Sequence, residues 1–258
     1  MRADEFVILM YHELAAAGRP ACESTPGYLR YVLTEEEFRV QLRALAEIGL
    51  KGVSLSAALA TSSPAGSVVL TFDDGTASDR ATAAKLLADF GFGATFFIVP
   101  GFLGRPGYLS AAEVRELSDA GQEIGSHSMR HDLLTRLPPR LLLEDLVRSK
   151  EQLEAICGRP VENLSCPAGR WSPGVASAAR EAGYTAVATS RIGINGSSTS
   201  RYRLARLPVR RGTSSRSVTR WSRGEGLAVA RFRGALFGGV RALLGDGLYQ
   251  RLHRGVGK

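Results

Sequence analysis

Two adjacent carboxylates end an apolar run near residue 70, where the chain reads SVVLTFDDGTASD. Asp73 and Asp74 repel each other, and a cation would relieve this by binding one and leaving the other free for proton transfer. Further along, the segment GSHSMRHDLL contains His127 and His131, four positions apart. On a helical turn this spacing places both imidazoles on one face, where they can bind one metal ion. Together these residues suit a hydrolytic metal centre with water in an open position.

Each motif alone also has a simpler interpretation. The histidines could be a helix-capping residue and a surface residue, and either aspartate could cap a following helix. A strand followed by Asp-x-Asp-Gly-Thr is typical of phosphotransferases, but the two aspartates here have no spacer, so the alternation that places both toward a phosphate is lost. The presence of both pairs in one chain favours the metal centre.

Short apolar runs rich in β-branched and aromatic residues alternate with helical-period segments through most of the chain. This alternation predicts βα units and a largely parallel sheet. The predicted strands are FVILMYH, GVSL, SVVLTF, ATFFIV, QEIGSH, ENLSCPA, YTAVAT and ARLPVR. Seven or eight such units predict an α/β fold built as a (β/α) barrel, closed or incomplete.

Helix start and stop signals lie between these strands. Thr34 with Glu37, and Ser110 with Glu113, have the spacing of capping boxes. A helix is also predicted from about residue 138 to 156, behind two prolines and before the stop at Gly158.

The loops after the carboxyl ends of the strands form the site in parallel α/β folds. Polar residues of this chain follow that rule, since each lies at or just beyond the carboxyl end of a predicted strand. They are His12, Asp73, Asp74, Ser126, His127 and the segment Cys166–Arg170. We therefore expect one site at this end of the sheet.

The order of several motifs resembles one enzyme family. TFDDG followed by SHSMRH is similar to the first two motifs of the polysaccharide deacetylases, the NodB-homology family of carbohydrate esterases (family four). Further matches over residues 5 to 215 are VILMYHEL, ATFFIVPGFLG, LSAAEVRELSDAGQEIGSHS and CPAGRWSPGVASAAREAGYTAVAT. The resemblance implies a distorted or incomplete (β/α) barrel. It also implies a metal-dependent hydrolase that removes an N-acetyl, or N-formyl, group from an amino sugar in a glycan, a sugar precursor or a lipid-linked saccharide.

The resemblance also implies roles for individual residues. Asp74, His127 and His131 would bind a divalent metal, usually zinc in this family, and Asp73 would be the general base. The metal would polarise the acyl carbonyl and lower the pKa of its water. The metal and the backbone N–H of Ala168 would stabilise the tetrahedral oxyanion.

The third and last motifs diverge from the family's pattern. Ser165 and Ala168 stand where the family usually has an arginine that orients the base and a tyrosine, and the late general-acid histidine is not apparent. Arg170 is a candidate to supply the missing cation from the other side, and with Ala168 and Trp171 it is a candidate oxyanion or substrate contact. His12, after the first strand, is our candidate for the acid that protonates the leaving amine, with a buried structural histidine as the alternative. Trp171 could stack on a sugar ring or form part of the wall.

A second functional hypothesis is a catalytically inactive relative that binds a glycan or a glycan-assembly protein. The altered third motif favours this hypothesis, whereas the intact Asp pair and His pair favour the enzyme.

The totals are those of an ordinary globular protein. The 258 residues are 44% hydrophobic and 22% charged, without an apolar run long enough to span a bilayer. The odd set of Cys22, Cys157 and Cys166 argues against a disulfide framework and a cysteine-based zinc site. The start, MRADEFVILMYHE, lacks the cleavage site of a signal peptide, and we expect a cytoplasmic protein.

The carboxyl-terminal segment is strongly basic. Residues 201–258 contain fourteen lysines and arginines against Glu225 and Asp246. We predict a catalytic domain over 1–221 and a basic amphipathic extension over 222–258, which packs on the domain or contacts an anionic inner membrane face or an acidic partner. Nucleic acid is not an expected partner, because the arginines are interleaved with core-type apolar residues. Those apolar residues are Phe232, Leu236, Val240, Leu244, Leu248 and Leu252.

Overall fold

Eight parallel strands form a curled sheet, a half-barrel, in the computed structural model of this protein, which describes residues 1–15, 18–61, 64 and 66–228. The strands are β1 (Ile8–Tyr11), β2 (Leu14–Ala15), β3 (Leu33–Thr34), β4 (Lys51–Val53), β5 (Ser67–Asp74), β6 (Thr95–Ile98), β7 (Glu123–Ser126), β8 (Asn163–Ser165), β9 (Ala186–Ala188) and β10 (Leu207–Pro208). The sheet order is β10-β1-β5-β6-β7-β8-β9, with β4 beside the first half of β5, while β2 and β3 pair separately. The fold predicted from the sequence is thereby confirmed.

Helices connect the strands and cover the outside of the sheet, as expected for βα units. They are α1 (Pro26–Leu29), α2 (Glu35–Glu47), α3 (Leu55–Ala60), α4 (Ala84–Asp89), α5 (Ala111–Asp119), α6 (Pro139–Cys157), α7 (Pro173–Glu181) and α8 (Ser215–Ser222). Both predicted capping boxes are present, at the starts of α2 and α5. Helix α6 ends at Gly158, whose φ of 65° is the left-handed conformation that glycine adopts readily.

Strand β5 lies in the interior of the sheet and is buried along nearly its whole length. Strand β1 pairs with one edge of β5, and β4 followed by β6 pair with the other edge. Beneath the end of β5, Phe72 stacks on Phe96 at 4.9 Å and on Tyr11 at 5.3 Å between ring centroids. These buried rings form a rigid support for the two aspartates that follow Phe72.

Each of the eight predicted strands overlaps an observed strand; β4 begins one residue before the predicted GVSL, and β5 extends two residues further than predicted, through both aspartates. The two-residue strands β2 and β3 were not predicted. Cys22, Cys157 and Cys166 are free thiols. Within the described part of the chain, each helix is too short or too polar to cross a lipid bilayer.

Residues Met1–Glu225 form one compact unit, and a second unit begins at Gly226. The apolar repeat of the predicted basic extension begins at Phe232 and lies outside the described residues. Its membrane or packing role, and the boundary at residue 221, therefore stay predictions, and the described residues add no support for membrane contact.

Candidate active site

The end of β5 brings both adjacent carboxylates to the same site. Successive side chains of a regular strand point to opposite faces, which would separate Asp73 from Asp74. Asp74, however, has a φ of 83°, which is unusual for a residue other than glycine. With this bend in the backbone, carboxylate oxygens of Asp73 and Asp74 lie 3.9 and 3.5 Å from Nε2 of His127.

The two histidines are brought together by a loop. His127 directly follows β7, and no helical turn joins it to His131, so the predicted helical geometry is wrong. Instead, Ser128 and His131 have φ values of 63° and 61°, which fold the loop back on itself. The two imidazole centroids are 5.0 Å apart as a result.

Three side chains present ligand atoms to one point. Oδ1 of Asp74 lies 3.5 Å from Nε2 of His127 and 3.5 Å from Nε2 of His131, and the three ligand atoms are all within 4.8 Å of one another. The ligand atoms of a tetrahedral zinc site are about 3.3 Å apart, given bonds of about 2.0–2.1 Å. Nδ1 of His127 is 2.9 Å from the carbonyl oxygen of Ser165, which can only accept, so Nδ1 donates and Nε2 keeps its lone pair for a metal.

The charge states of these groups also suit a cation. Burial lowers the pKa of His127 to about 4, so its imidazole is neutral and able to ligate near neutral pH. Burial raises the pKa of Asp74, although the imidazoles of His12 and His127 partly oppose this. A bound cation would favour the ionised form of Asp74.

The general-base candidate Asp73 pairs with an arginine that we did not predict. Arg206 is fully buried at 0% exposure and donates from Nη1 and Nη2 to the two oxygens of Asp73, at 2.7 and 2.8 Å. The same guanidinium donates to the hydroxyl of Ser165, to the carbonyl of Thr189 and to the hydroxyl of Thr71. Burial alone would raise the pKa of Asp73, but Arg206 and then His127 hold it below its usual range.

Arg206, which directly precedes β10, supplies the cation that the third motif lacks. Its Nη2 lies 2.8 Å from Oγ of Ser165. Ser165 is the residue that stands where the third motif usually has an arginine. Arg170 is exposed, and the observed partner of Asp73 is Arg206, so a role of Arg170 in contacting substrate stays a prediction. The available signal was an arginine within the apolar run LARLPV, because an arginine buried in a strand needs a carboxylate partner.

His12 lies just beyond β1, at the same end of the sheet as the aspartates. Its ring stacks on Tyr31 at 4.5 Å, and the guanidinium of Arg210 lies 5.6 Å from the centre of the Tyr31 ring. Nδ1 of His12 is buried and has no hydrogen-bond partner among the described residues. Tyr11 pairs in register with Phe72, so His12 and Asp73 are the next residues along two neighbouring strands.

The turn after β8 contains the other predicted site residues. Ala168 has a φ of 54°, and a side chain on Gly169 would come within 2.6 Å of the backbone nitrogen of Ser190, so this tight turn requires glycine. Nε1 of Trp171 donates to the carbonyl of Tyr202 at 2.7 Å. Arg203 covers the Trp171 ring at 4.5 Å, which favours a role in the wall over a sugar platform.

Sequence comparisons agree with this geometry. The sequence model of the polysaccharide deacetylase family matches residues 60–187. The chain is 26% identical over 212 residues to the Bacillus subtilis protein YxkH, a polysaccharide deacetylase by name, covering 80% of this chain and 72% of YxkH. It is also 26% identical over 123 residues to a chitooligosaccharide deacetylase of Bradyrhizobium, covering 47% of this chain and 54% of that relative.

Solved structures share the fold over most of both chains. Streptococcus pyogenes deacetylase PplD superposes with a TM-score of 0.75 at 20% identity, covering 84% of this chain and 98% of PplD. IcaB from Ammonifex degensii superposes with a TM-score of 0.73 at 25% identity, covering 85% of this chain and 97% of IcaB. By its motifs, its sequence relatives and its fold, the chain belongs to the polysaccharide deacetylase family.

Proposed function

We propose that this protein is a metal-dependent carbohydrate deacetylase that removes the N-acetyl group, or an N-formyl group, from an amino sugar. One observation carries the proposal: a set of three metal-ligand atoms lies beside an ionised carboxylate that is not needed as a ligand. Asp74, His127 and His131 form the ligand set, and Asp73 is held separately by Arg206. Membership of the polysaccharide deacetylase family supports deacetylation as the class of reaction.

The ligand set fits a divalent cation of the zinc type. Two neutral imidazoles and one carboxylate leave an open coordination position, as in hydrolytic zinc sites. When bound, the cation supplies Lewis-acid polarisation of the acyl carbonyl and acidifies a water molecule. In our proposal the atoms that hold it are Oδ1 of Asp74 and Nε2 of both His127 and His131.

Asp73 acts as the general base in this proposal. Two hydrogen bonds from Arg206 fix the orientation of its carboxylate and keep it ionised. The same pairing lowers its basicity, so proton transfer to Asp73 requires a water molecule that is itself acidified. Arg206 therefore contributes position and charge state, and a cation on the ligand set would supply the acidity of the water.

His12 and Ala168 act on the other side of the scissile amide. His12 donates a proton to the nitrogen of the leaving amino sugar, which would otherwise depart as a poor leaving group. The backbone N–H of Ala168, held in its strained turn, donates to the developing oxyanion. Products are acetate, or formate, and the free amino sugar.

The substrate in this proposal is an N-acylated amino sugar within a glycan or a saccharide precursor. A chitooligosaccharide deacetylase among the relatives supports this chemical class. An inactive glycan-binding module is not favoured, because the base, its arginine and all three ligand residues are present together.

Acetate release from N-acetylglucosamine oligosaccharides of two to six units tests the proposal, with the protein loaded with zinc or cobalt. We expect Asp73→Asn to lower turnover by about a thousandfold, because the base is lost. Metal content should stay at one equivalent, since Asp74 and both histidines remain. Absence of bound metal together with absence of acetate release from any of these sugars would overturn the proposal.

A further inference from the structure

The loop between the two histidine ligands has an unfavourable backbone conformation. Ser128 and His131 both have left-handed φ values, which residues other than glycine adopt only at a cost in free energy. Such a conformation persists only where surrounding contacts hold it in place. The residues that hold this loop are therefore needed for the position of His131.

Helix α6 contacts the loop at two points on one face. Oδ1 of Asp145 accepts a hydrogen bond from the backbone N–H of Met129 at 2.9 Å. One turn later, the hydroxyl of Ser149 lies 2.7 Å from that of Ser126, which accepts the N–H of Ser128 at 3.2 Å. Residues four apart share one face of a helix, so both contacts come from the same side of α6.

The loop itself connects these contacts to the second ligand. The backbone N–H of His131 donates to Oγ of Ser128 at 3.0 Å. The carbonyl of Met129 accepts from the N–H of Gly101 at 2.9 Å, and a side chain on Gly101 would lie only 2.6 Å from that oxygen. The peptide groups between the two histidines are thus fixed from α6 on one side and from residue 101 on the other.

Packing alone does not explain a carboxyl group at position 145. Asp145 is only 3% exposed, and its Oδ2 has no hydrogen-bond partner among the described residues. A buried carboxyl group in that state is costly, and an apolar residue would pack there more cheaply. The contact that the carboxyl group does make is with the loop, through Met129.

We propose that Asp145 and Ser149 are positioning residues for the metal ligand His131, acting through the backbone of residues 128–131. This rests on the proposed metal site. Neither residue touches the ligand atoms, so their effect is on how well His131 is preorganised to bind. Loss of a hydrogen-bond partner that orients a metal ligand typically changes metal affinity by about 10- to 100-fold.

The test compares three variants by cobalt and zinc affinity, using competition with a chelator, and by the visible absorption of the cobalt-loaded protein. Asp145→Ala removes the acceptor for the Met129 N–H and should weaken metal binding by about 10- to 100-fold with an altered cobalt spectrum. Asp145→Asn keeps an oxygen acceptor and should bind within a few-fold of wild type. Glu144→Ala, an exposed neighbour on the same helix, is the matched control and should bind normally.

Two results would overturn the inference: metal binding by Asp145→Ala equal to wild type, or an equal weakening in Glu144→Ala. If Asp145→Ala does not fold, Ser149→Ala decides, because it removes one hydroxyl and should weaken metal binding several-fold with little change in the melting temperature of the metal-free protein. Unchanged affinity in Ser149→Ala would then overturn the inference. A wild-type protein that binds no metal would instead refute the proposed function itself.

Discussion

The two ends of the parallel sheet both bury polar side chains, but they satisfy them differently. At the amino ends of β6, β7 and β8, the carboxylate of Glu123 accepts hydrogen bonds from the hydroxyls of Thr95 and Ser56, the amide of Asn163 and the backbone N–H of Ser56. Each of these donors finds its acceptor on Glu123, and Oδ1 of Asn163 is left without a hydrogen-bond partner among the described residues. Three strands and α3 are joined by this one side chain.

At the carboxyl ends, the polar groups divide into one paired carboxylate and three ligand atoms that converge. Asp73 is fully paired, whereas Asp74, His127 and His131 direct their ligand atoms to a common point. Backbone strain follows the same division. Of the described residues other than glycine, those with positive φ all lie at this end, and they are Asp74, Ser128, His131 and Ala168.

The difference shows where stability and chemistry are separated in this fold. Strained backbone and converging ligand atoms are kept where a reaction needs preorganised groups, and the opposite end contributes stability. Substitutions at the two ends should therefore have different consequences, and the following predictions test that separation in order of decreasing effect.

Arg206→Met should have the largest effect, because it leaves the buried carboxylate of Asp73 without a partner. We expect the free energy of unfolding to fall by about 3–5 kcal/mol, measured by urea unfolding of the metal-free protein, and turnover to fall as well. Without the guanidinium, burial raises the pKa of Asp73. In the wild-type protein, the lowered pKa of Asp73 stabilises the fold at pH values above the ordinary pKa of aspartate, and this stabilisation is lost as the pH falls. In the variant, the raised pKa of Asp73 has the opposite effect, and stability is lost as the pH rises.

The double variant Arg206→Met with Asp73→Asn is the control for this prediction. It removes both charges, so it should recover most of the stability but none of the turnover. A stability loss as large as that of the single variant would contradict the assignment of Arg206 as the partner of Asp73.

Arg206 also marks the limit of what the sequence could predict. The strand ends, the Asp pair and the His pair follow from local patterns, and the family resemblance identified Ser165 as the place where an arginine was missing. The arginine that compensates lies 133 residues from Asp73 along the chain, and no periodicity indicates that pairing. The helical turn assigned to the two histidines was wrong for a related reason, since the φ values of the loop depend on α6 and not on spacing.

His12→Asn should have the next largest effect and tests the acid at the carboxyl end. Asparagine cannot donate the proton to the leaving amine, so turnover of an N-acetylated sugar should fall by about a hundredfold while metal affinity is unchanged. With p-nitrophenyl acetate, whose leaving group needs no protonation, the loss should nearly disappear.

Tyr31→Phe is the matched control, because it keeps the ring that stacks on His12. It should retain near-normal turnover with both substrates. An equal loss in His12→Asn on the amide and on the ester would make His12 a structural histidine.

Glu123→Ala should have the smallest effect, and it should lower stability without lowering turnover. It leaves the buried hydroxyl of Thr95 without its acceptor and removes one of the two acceptors of the Asn163 amide, which keeps Oγ of Ser56, and we expect the free energy of unfolding to fall by about 2 kcal/mol. Turnover per folded molecule should stay within twofold of wild type, because strain and ligand geometry at the other end are untouched. Glu162→Ala, an exposed carboxylate at the same end, should change neither quantity. If Glu123→Ala instead lowered turnover or metal affinity without lowering stability, the two ends of the sheet would be coupled, and their separation into a stabilising end and a chemical end would be wrong.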